Sequence, residues 1–132
     1  MMKRLKFLPL LVIMFVAPLV AAADDIDVIA DLFKQGNSAE LSKHLAPSLD
    51  FTLLKEENVY SQTQATLVLK KFFEQNKPKG AKVIHKVNTS NTYRFGVVQL
   101  VTDKGTFRVS LTLNSVKGQL QVIELRIEAE KP

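Results

Sequence analysis

Residues 61–76 read SQTQATLVLKKFFEQN, and the spacing of their apolar side chains decides the fold. Ala65, Val68, Leu69, Phe72 and Phe73 recur at the three- and four-residue intervals that gather side chains on one face of an α-helix. Ser61 stands three residues before Gln64, the spacing of a capping box in which each side chain satisfies a free N–H of the other. Asn76, Lys77 and Pro78 stop the helix, because proline lacks the N–H that would continue it. A helix with so broad an apolar stripe is marginal alone in water and needs another element to cover it.

The cover lies downstream. AKVIHKVN (81–88), TYRFGVVQLVT (92–102), GTFRVSLTLN (105–114) and QLQVIELRIEAE (119–130) read as strands separated by short polar turns. The third is the cleanest, with Phe107, Val109, Leu111 and Leu113 alternating against Arg108, Ser110, Thr112 and Asn114. The fourth places Ile123, Leu125 and Ile127 inward. Turns this short join antiparallel neighbours, so the four form a meander. Asn88-Thr89-Ser90 has the form of a glycosylation sequon and is read as a polar turn.

Upstream, DDIDVIADLFKQGN (24–37) sets Ile26, Ile29, Ala30 and Phe33 on one helical face, with acids in the first turn and Gly36 as the stop. Ser38 caps a second helix, SAELSKHLA, ended by Pro47. SLDFTLL (48–54) alternates as a half-buried strand, and KEENVYSQ reads as a turn. The order is helix, helix, strand, long helix, four strands. It predicts an α+β domain with its N-terminal helices and the long helix on one face of an antiparallel sheet.

The chain starts MMKRLK, runs through FLPLLVIMFVAPLV (7–20), and gives Ala21-Ala22-Ala23 before Asp24-Asp25. A basic head, a short apolar middle and a small-residue end are the parts of a secretory leader. The apolar run falls short of the roughly 20 residues that a spanning helix needs. The expectation is a signal peptide over 1–23 cleaved after Ala23, a single domain over 24–132, a secreted or periplasmic location, and no membrane span once the leader is removed. The chain carries 18 basic and 13 acidic residues, net +5. Lys3, Arg4 and Lys6 leave with the leader, which holds no acid, so the mature domain is close to neutral. Its basic character therefore says little about partners. With no cysteine, disulfides, thiolate metal sites and cysteine nucleophiles are excluded.

The stretches DLFKQGNSAELSKHLAPSLDFTLL, VYSQTQATLVLKKFFEQNKPKGAKVIHKV, GTFRVSLTL and ELRIE resemble a family of small secreted bacterial proteins described only as a domain of unknown function, DUF4783. The element order is similar to the nuclear transport factor 2-like, or cystatin-like, superfamily, which includes ketosteroid isomerases and polyketide cyclases. The resemblance implies a cone, in which a strongly curved antiparallel sheet wraps the long helix around a pocket. The narrow family brings no activity and no catalytic residues.

Inward rows converging on the long helix predict a pocket lined by Phe33, Phe51, Phe72, Val83, His85, Phe95 and Phe107. His85 shares its side of the strand with Val83 and Val87, and an imidazole facing the interior suits proton transfer. Asp50 is the nearest carboxylate by position, although its alternation sets it opposite Leu49, Phe51 and Leu53. These two are the candidates if the domain is an enzyme of the isomerase, dehydratase or cyclase type, whose base sits inside the cone. Lys70, Lys71, Lys77, Lys79, Lys82 and Lys86 offer a basic face for a polyanion or an envelope surface, with Lys82 and Lys86 on one side of their strand. Nucleic acid is disfavoured: Phe72 and Phe73 are committed to the core and the chain has no tryptophan. No metal or cofactor motif is present. If Gly96 leaves the strand phase unbroken, Val98 and Leu100 face outward beside Ser110, Thr112 and Val122, a row suited to a homodimer, and the resemblance implies dimerisation through that face. The first functional reading is an exported domain that binds a small ligand or protein partner without chemistry and without a cofactor.

Overall fold

A computed structural model describes residues 24–87 and 90–131; the expected leader over 1–23 and the Asn88-Thr89 part of the sequon lie outside the described residues. The elements are α1 (Asp25–Gln35), α2 (Ser38–Ser42), β1 (Leu45–Leu53), β2 (Glu56–Ser61), α3 (Gln62–Gln75), β3 (Pro78–Val87), β4 (Tyr93–Thr102), β5 (Gly105–Val116) and β6 (Gln119–Ala129). The strands form one curved, open sheet in the order β2-β1-β6-β5-β4-β3. Neighbours are antiparallel except β1 and β6, which run parallel. The parallel pair is a departure from the all-antiparallel sheet expected. It arises because α3 and the meander intervene between the two strands, a connection long enough to bring the chain back in the same direction.

The helices form where the spacing predicts. The Asp24 side chain caps α1 by accepting from the Asp27 N–H at 3.0 Å, and Gly36 ends it in the left-handed conformation at φ 64°. At α3, Ser61 Oγ accepts from the Gln64 N–H at 3.1 Å while Gln64 Oε1 accepts from the Ser61 N–H at 3.0 Å. Ile26, Ile29, Ala30 and Phe33 of α1 and Ala65, Leu69, Phe72 and Phe73 of α3 are buried. The two helices meet through Phe33 and Phe73, whose ring centroids lie 5.7 Å apart edge to face, and Phe72 packs on Phe107 of β5 at 5.0 Å. Such pairs add roughly 0.5–1.5 kcal/mol beyond their area burial.

Two segments differ from the sequence reading. α2 ends at Ser42, and β1 starts at Leu45, so Pro47 lies inside a strand. It is tolerated because β1 pairs with β6 at Leu45 and then not until Asp50, while pairing with β2 starts at Ser48; the missing N–H falls in that gap. Most of KEENVYSQ is a strand: after the turn at Leu54-Lys55, β2 pairs with β1 from Ser48↔Ser61 to Leu53↔Glu56. It is an edge strand, exposed except at half-buried Tyr60, so no apolar alternation announces it.

The phase of the sheet also differs. Pairing of β4 with β5 runs unbroken through Gly96, so no bulge lies there. Gly96 instead faces α1, where a β-carbon would come within 2.6 Å of Ile26 Cγ2. Its neighbours two and four residues on, Val98 and Leu100, point the same way and are fully buried. The outward row expected from Val98 and Leu100 is therefore corrected, and Val122 is buried as well. The outward residues of β4 are Tyr93, Phe95, Val97, Gln99 and Val101. The bulges lie elsewhere. Ile84 is an extra residue between the pairs Val83↔Val98 and His85↔Val97, and Ile123 is one between Thr112↔Glu124 and Leu113↔Val122.

Gly96→Ala is expected to destabilise the fold by about 1–3 kcal/mol, the usual cost of overpacking, as read from urea unfolding. Pairing it with Ile26→Ala should cost clearly less than the sum of the two single changes, because the second makes room for the first. Additive costs would show that the two residues do not share the space.

Candidate functional site

β2 ends the sheet beside β1, and it offers Asn58 and Glu56 opposite Phe51 and Leu53. Tyr60 of the same strand packs on Phe51, so the inner face of β2 turns polar only toward the β1–β2 turn, where β1 ends at Leu53. What remains uncovered is an open groove of about 330 Å³ walled by Leu53, Leu54, Val68, Phe72 and Phe107, with Lys71 at its rim. Gln75 and Asn76 close one end; the Asn76 side-chain amide donates to the Phe72 carbonyl at 3.0 Å. A concave apolar wall with a few polar groups is the usual form of a small-molecule site.

Leu54 stands at the mouth. It occupies the first position of the two-residue turn between β1 and β2 with φ 60°, and its N–H donates to the Ile127 carbonyl at 2.7 Å. That backbone region favours glycine and costs a leucine roughly 1–2 kcal/mol. Its side chain is 48% exposed. On its other side lies a second groove of about 320 Å³, formed with Lys55, Glu128, Ala129 and Lys131.

The seven residues expected around a central pocket divide three ways. Phe72 and Phe107 line the groove just described. Phe33 and Phe51 are fully buried, Phe33 against Phe73 and Phe51 against Tyr60 at 5.8 Å, while Val83 packs at the edge of the same core. His85 and Phe95 stand on the opposite face of the sheet, 6.2 Å apart edge to face. Their expected inward position is corrected. The extra residue Ile84 turns His85 over, and Gly96 takes the inward place that leaves Phe95 outward. Asp50 is exposed on that outward face beside Val59 and Glu124, as its alternation indicates. Among the described residues the only buried polar one is Thr102, whose hydroxyl serves the β4–β5 turn by donating to the Gly105 carbonyl at 2.7 Å. Neither expected acid–base residue thus faces the helices.

The six lysines do not gather on one face. Lys70 and Lys77 border a shallow groove with Glu74 and Gln35, and Lys71 belongs to the apolar groove. Lys82 pairs in register with Gln99 and faces outward, Lys79 is exposed at the start of β3, and Lys86 faces α1. The bulge at Ile84 is what separates Lys82 from Lys86. Lys86 Nζ bridges Asp24 Oδ2 and Asp27 Oδ2 at 2.9 Å each. Burial by itself raises the Asp24 carboxyl, but the Asp27 amide and the Lys86 ammonium outweigh it and hold the group below its ordinary value. The two carboxylates raise Lys86.

Among the described residues no three histidine, aspartate or glutamate side chains stand together to hold a metal ion, and no helix is long and apolar enough to cross a membrane. The residues that the sequence reading missed are Leu54 and its lysine neighbours. The doublet Leu53-Leu54 was the available signal, because in an alternating strand one of two adjacent leucines must lie out of phase.

Residues 26–128 match the model of a domain of unknown function, DUF4783. A DUF4783 family protein from Bacteroides ovatus superposes with a TM-score of 0.74 at 28% identity, over 79% of this chain and 94% of that one. One from Bacteroides uniformis gives 0.78 at 24% identity, over 83% and 100%. A domain of unknown function with a cystatin-like fold from Nostoc punctiforme gives 0.65 at 9% identity over 86% and 81%, a likeness of fold alone. The expected cone, cystatin-like and nuclear transport factor 2-like, is thus the fold observed. No curated protein matches the chain.

The clamp at Lys86 has a pH signature. A lowered carboxyl stabilises the fold above its ordinary value, and the contribution is lost as pH falls through the lowered one; a raised ammonium contributes below its ordinary value and is lost as pH rises through the raised one. Lys86→Met should melt below the parent at neutral pH. The gap should close below pH 3.8 and above pH 10.5, and narrow with added salt. A gap of constant size across that range would show that charge contributes nothing there.

Proposed function

The chain belongs to the DUF4783 family, and from that membership and the groove we propose an exported domain that binds a small apolar molecule without chemical change. The carrying observation is the open apolar groove between the C-terminal half of α3, the β1–β2 turn and Phe107 of β5. Ligand surface covered there gains about 25 cal/mol per Å², and the site is preformed, so little ordering opposes binding. Binding is favoured over catalysis because His85 and Asp50 lie on the far face of the sheet from the groove. Export rests on the leader pattern of residues 1–23. Cleavage after Ala23 would retain Asp24, whose side chain caps α1.

Titration with N-phenylnaphthylamine, a neutral fluorophore that brightens in apolar surroundings, tests the groove. The mature domain should bind it with micromolar affinity. Val68→Glu and Leu54→Glu should each weaken binding at least tenfold. Leu67→Glu, on the exposed side of α3, should leave it unchanged. Because Leu54 is half-exposed and outside the buried core, its variant should keep the fold if Val68→Glu does not. Equal binding by the parent and Leu54→Glu overturns the assignment.

Protein recovered from a bacterial host that exports it should begin at Asp24 by intact mass. Recovery only with residues 1–23 attached would overturn the cleaved-leader reading.

A further inference from the structure

Leu54 belongs to two grooves at once. Leu53, Val68, Phe72 and Phe107 lie on one side of it, and Ala129 with the stems of Lys55 and Lys131 on the other. The two hollows are of nearly equal size, about 330 and about 320 Å³, and a single half-exposed side chain is common to them. That side chain sits on a strained backbone, in a place where glycine would be relaxed. Its N–H is fixed by the Ile127 carbonyl, whereas the side chain itself is 48% exposed and is not part of the buried core. A leucine anchored by its backbone and loosely packed at its tip is able to change rotamer at little cost.

The two linings together hold three ammonium groups and one carboxylate. Lys71 stands at the first groove, and Lys55 and Lys131 stand at the second. The single acid in either lining is Glu128, and it already faces Arg126, with Nη1 to Oε2 at 3.6 Å. Apolar walls with an ammonium group in each lining favour a molecule that is apolar along its length and anionic at its head.

We propose that the two grooves form one elongated site for a long unbranched anionic amphiphile, such as an alkyl carboxylate, with Leu54 the divider that the chain displaces and Lys71, or Lys55 with Lys131, the partner of the head group. This rests on the binding function proposed above and names the ligand class for it. The occupant is a free monomer rather than a bilayer, because the first groove is walled by α3 on one side and by Leu53, Leu54 and Phe107 on the other, which admits one chain and not a planar membrane.

The test is displacement of N-phenylnaphthylamine from the mature domain by saturated carboxylates of about six to about sixteen carbons, below their micelle-forming concentrations. Each methylene that finds cover should raise affinity about fourfold. In the parent the rise should continue well past the length at which Leu54→Trp, which walls off the second groove, levels out. Carboxylates should exceed alkyltrimethylammonium ions of the same length at least tenfold, and this preference should fall in the triple variant Lys55→Gln, Lys71→Gln, Lys131→Gln. Identical length profiles in the parent and Leu54→Trp overturn the joined site. Equal displacement by the cations overturns the anionic class, and retention of the domain on phosphatidylglycerol vesicles without displacement by monomers overturns the free ligand. In each of these cases continued probe binding leaves the groove assignment standing. Failure of both the probe and the carboxylates to bind removes that assignment and this inference together.

Discussion

Ile26 occupies the space in which any β-carbon at position 96 would sit, and the arrangement of the domain follows from that contact. Glycine at 96 lets α1 lie directly on β4. The contact defines which side of β4 is covered, so Val98 and Leu100 turn inward and Phe95 and Val97 outward. Through register it defines the neighbours as well. Leu111 and Val109 of β5 face the helices because they pair with Gly96 and Val98. Lys86 of β3 also pairs with Gly96, which brings its ammonium to the acidic first turn of α1. α1 in turn presents Phe33 to Phe73, so the long helix is located partly by what α1 has already fixed.

The parts legible in the sequence are those whose pattern is local. α1, α3 and β5 each carry an apolar repeat that one face must bury, and each lies where the repeat places it. The illegible parts depend on partners. An extra residue such as Ile84 or Ile123 is recognised only against the strand opposite, since either neighbour keeps an acceptable alternation without it. His85 was misplaced for this reason: counted by twos from Val83 it points inward, and one unpaired residue reverses it. β2 escaped notice for a different reason. Hydrophobic periodicity reports residues that need cover, and a solvated edge strand of Glu56, Glu57 and Asn58 has almost none to report. Leucine at Leu54 hid the hairpin further, because the turn chemistry that announces such connections relies on glycine or asparagine.

The site was half legible. Phe72 and Phe107 face the helix–sheet core as their patterns indicate, because both belong to well-patterned elements. Their role at a rim, and not around a central hollow, depends on how far the sheet extends, which no single segment specifies. The lysines illustrate the same limit. Lys70 and Lys71 are adjacent in sequence, but neighbouring helical residues do not share a face, and the two border different hollows on either flank of α3. Counting charges along the chain gave one patch where geometry gives several.

A cone whose centre is taken up by Phe33, Phe51, Phe72, Phe73 and Phe107 has consequences for where function can reside. Phe33, Phe73, Phe72 and Phe107 run in edge contact from α1 through α3 to β5, with Phe51 set against Tyr60 beside them, and opening a chamber among them would expose side chains that hold the helices to the sheet. The rim carries no such conflict. Leu54 is outside the buried cluster and Val68 is only packed against it, so their substitution alters the groove while the aromatic centre remains intact. In this fold the buried core and the lining of the groove are therefore made by different residues, apart from Phe72 and Phe107, which belong to both. Those two set the limit. A wider groove would come from changing the β1–β2 turn and the exposed flank of α3, and not from hollowing the cone.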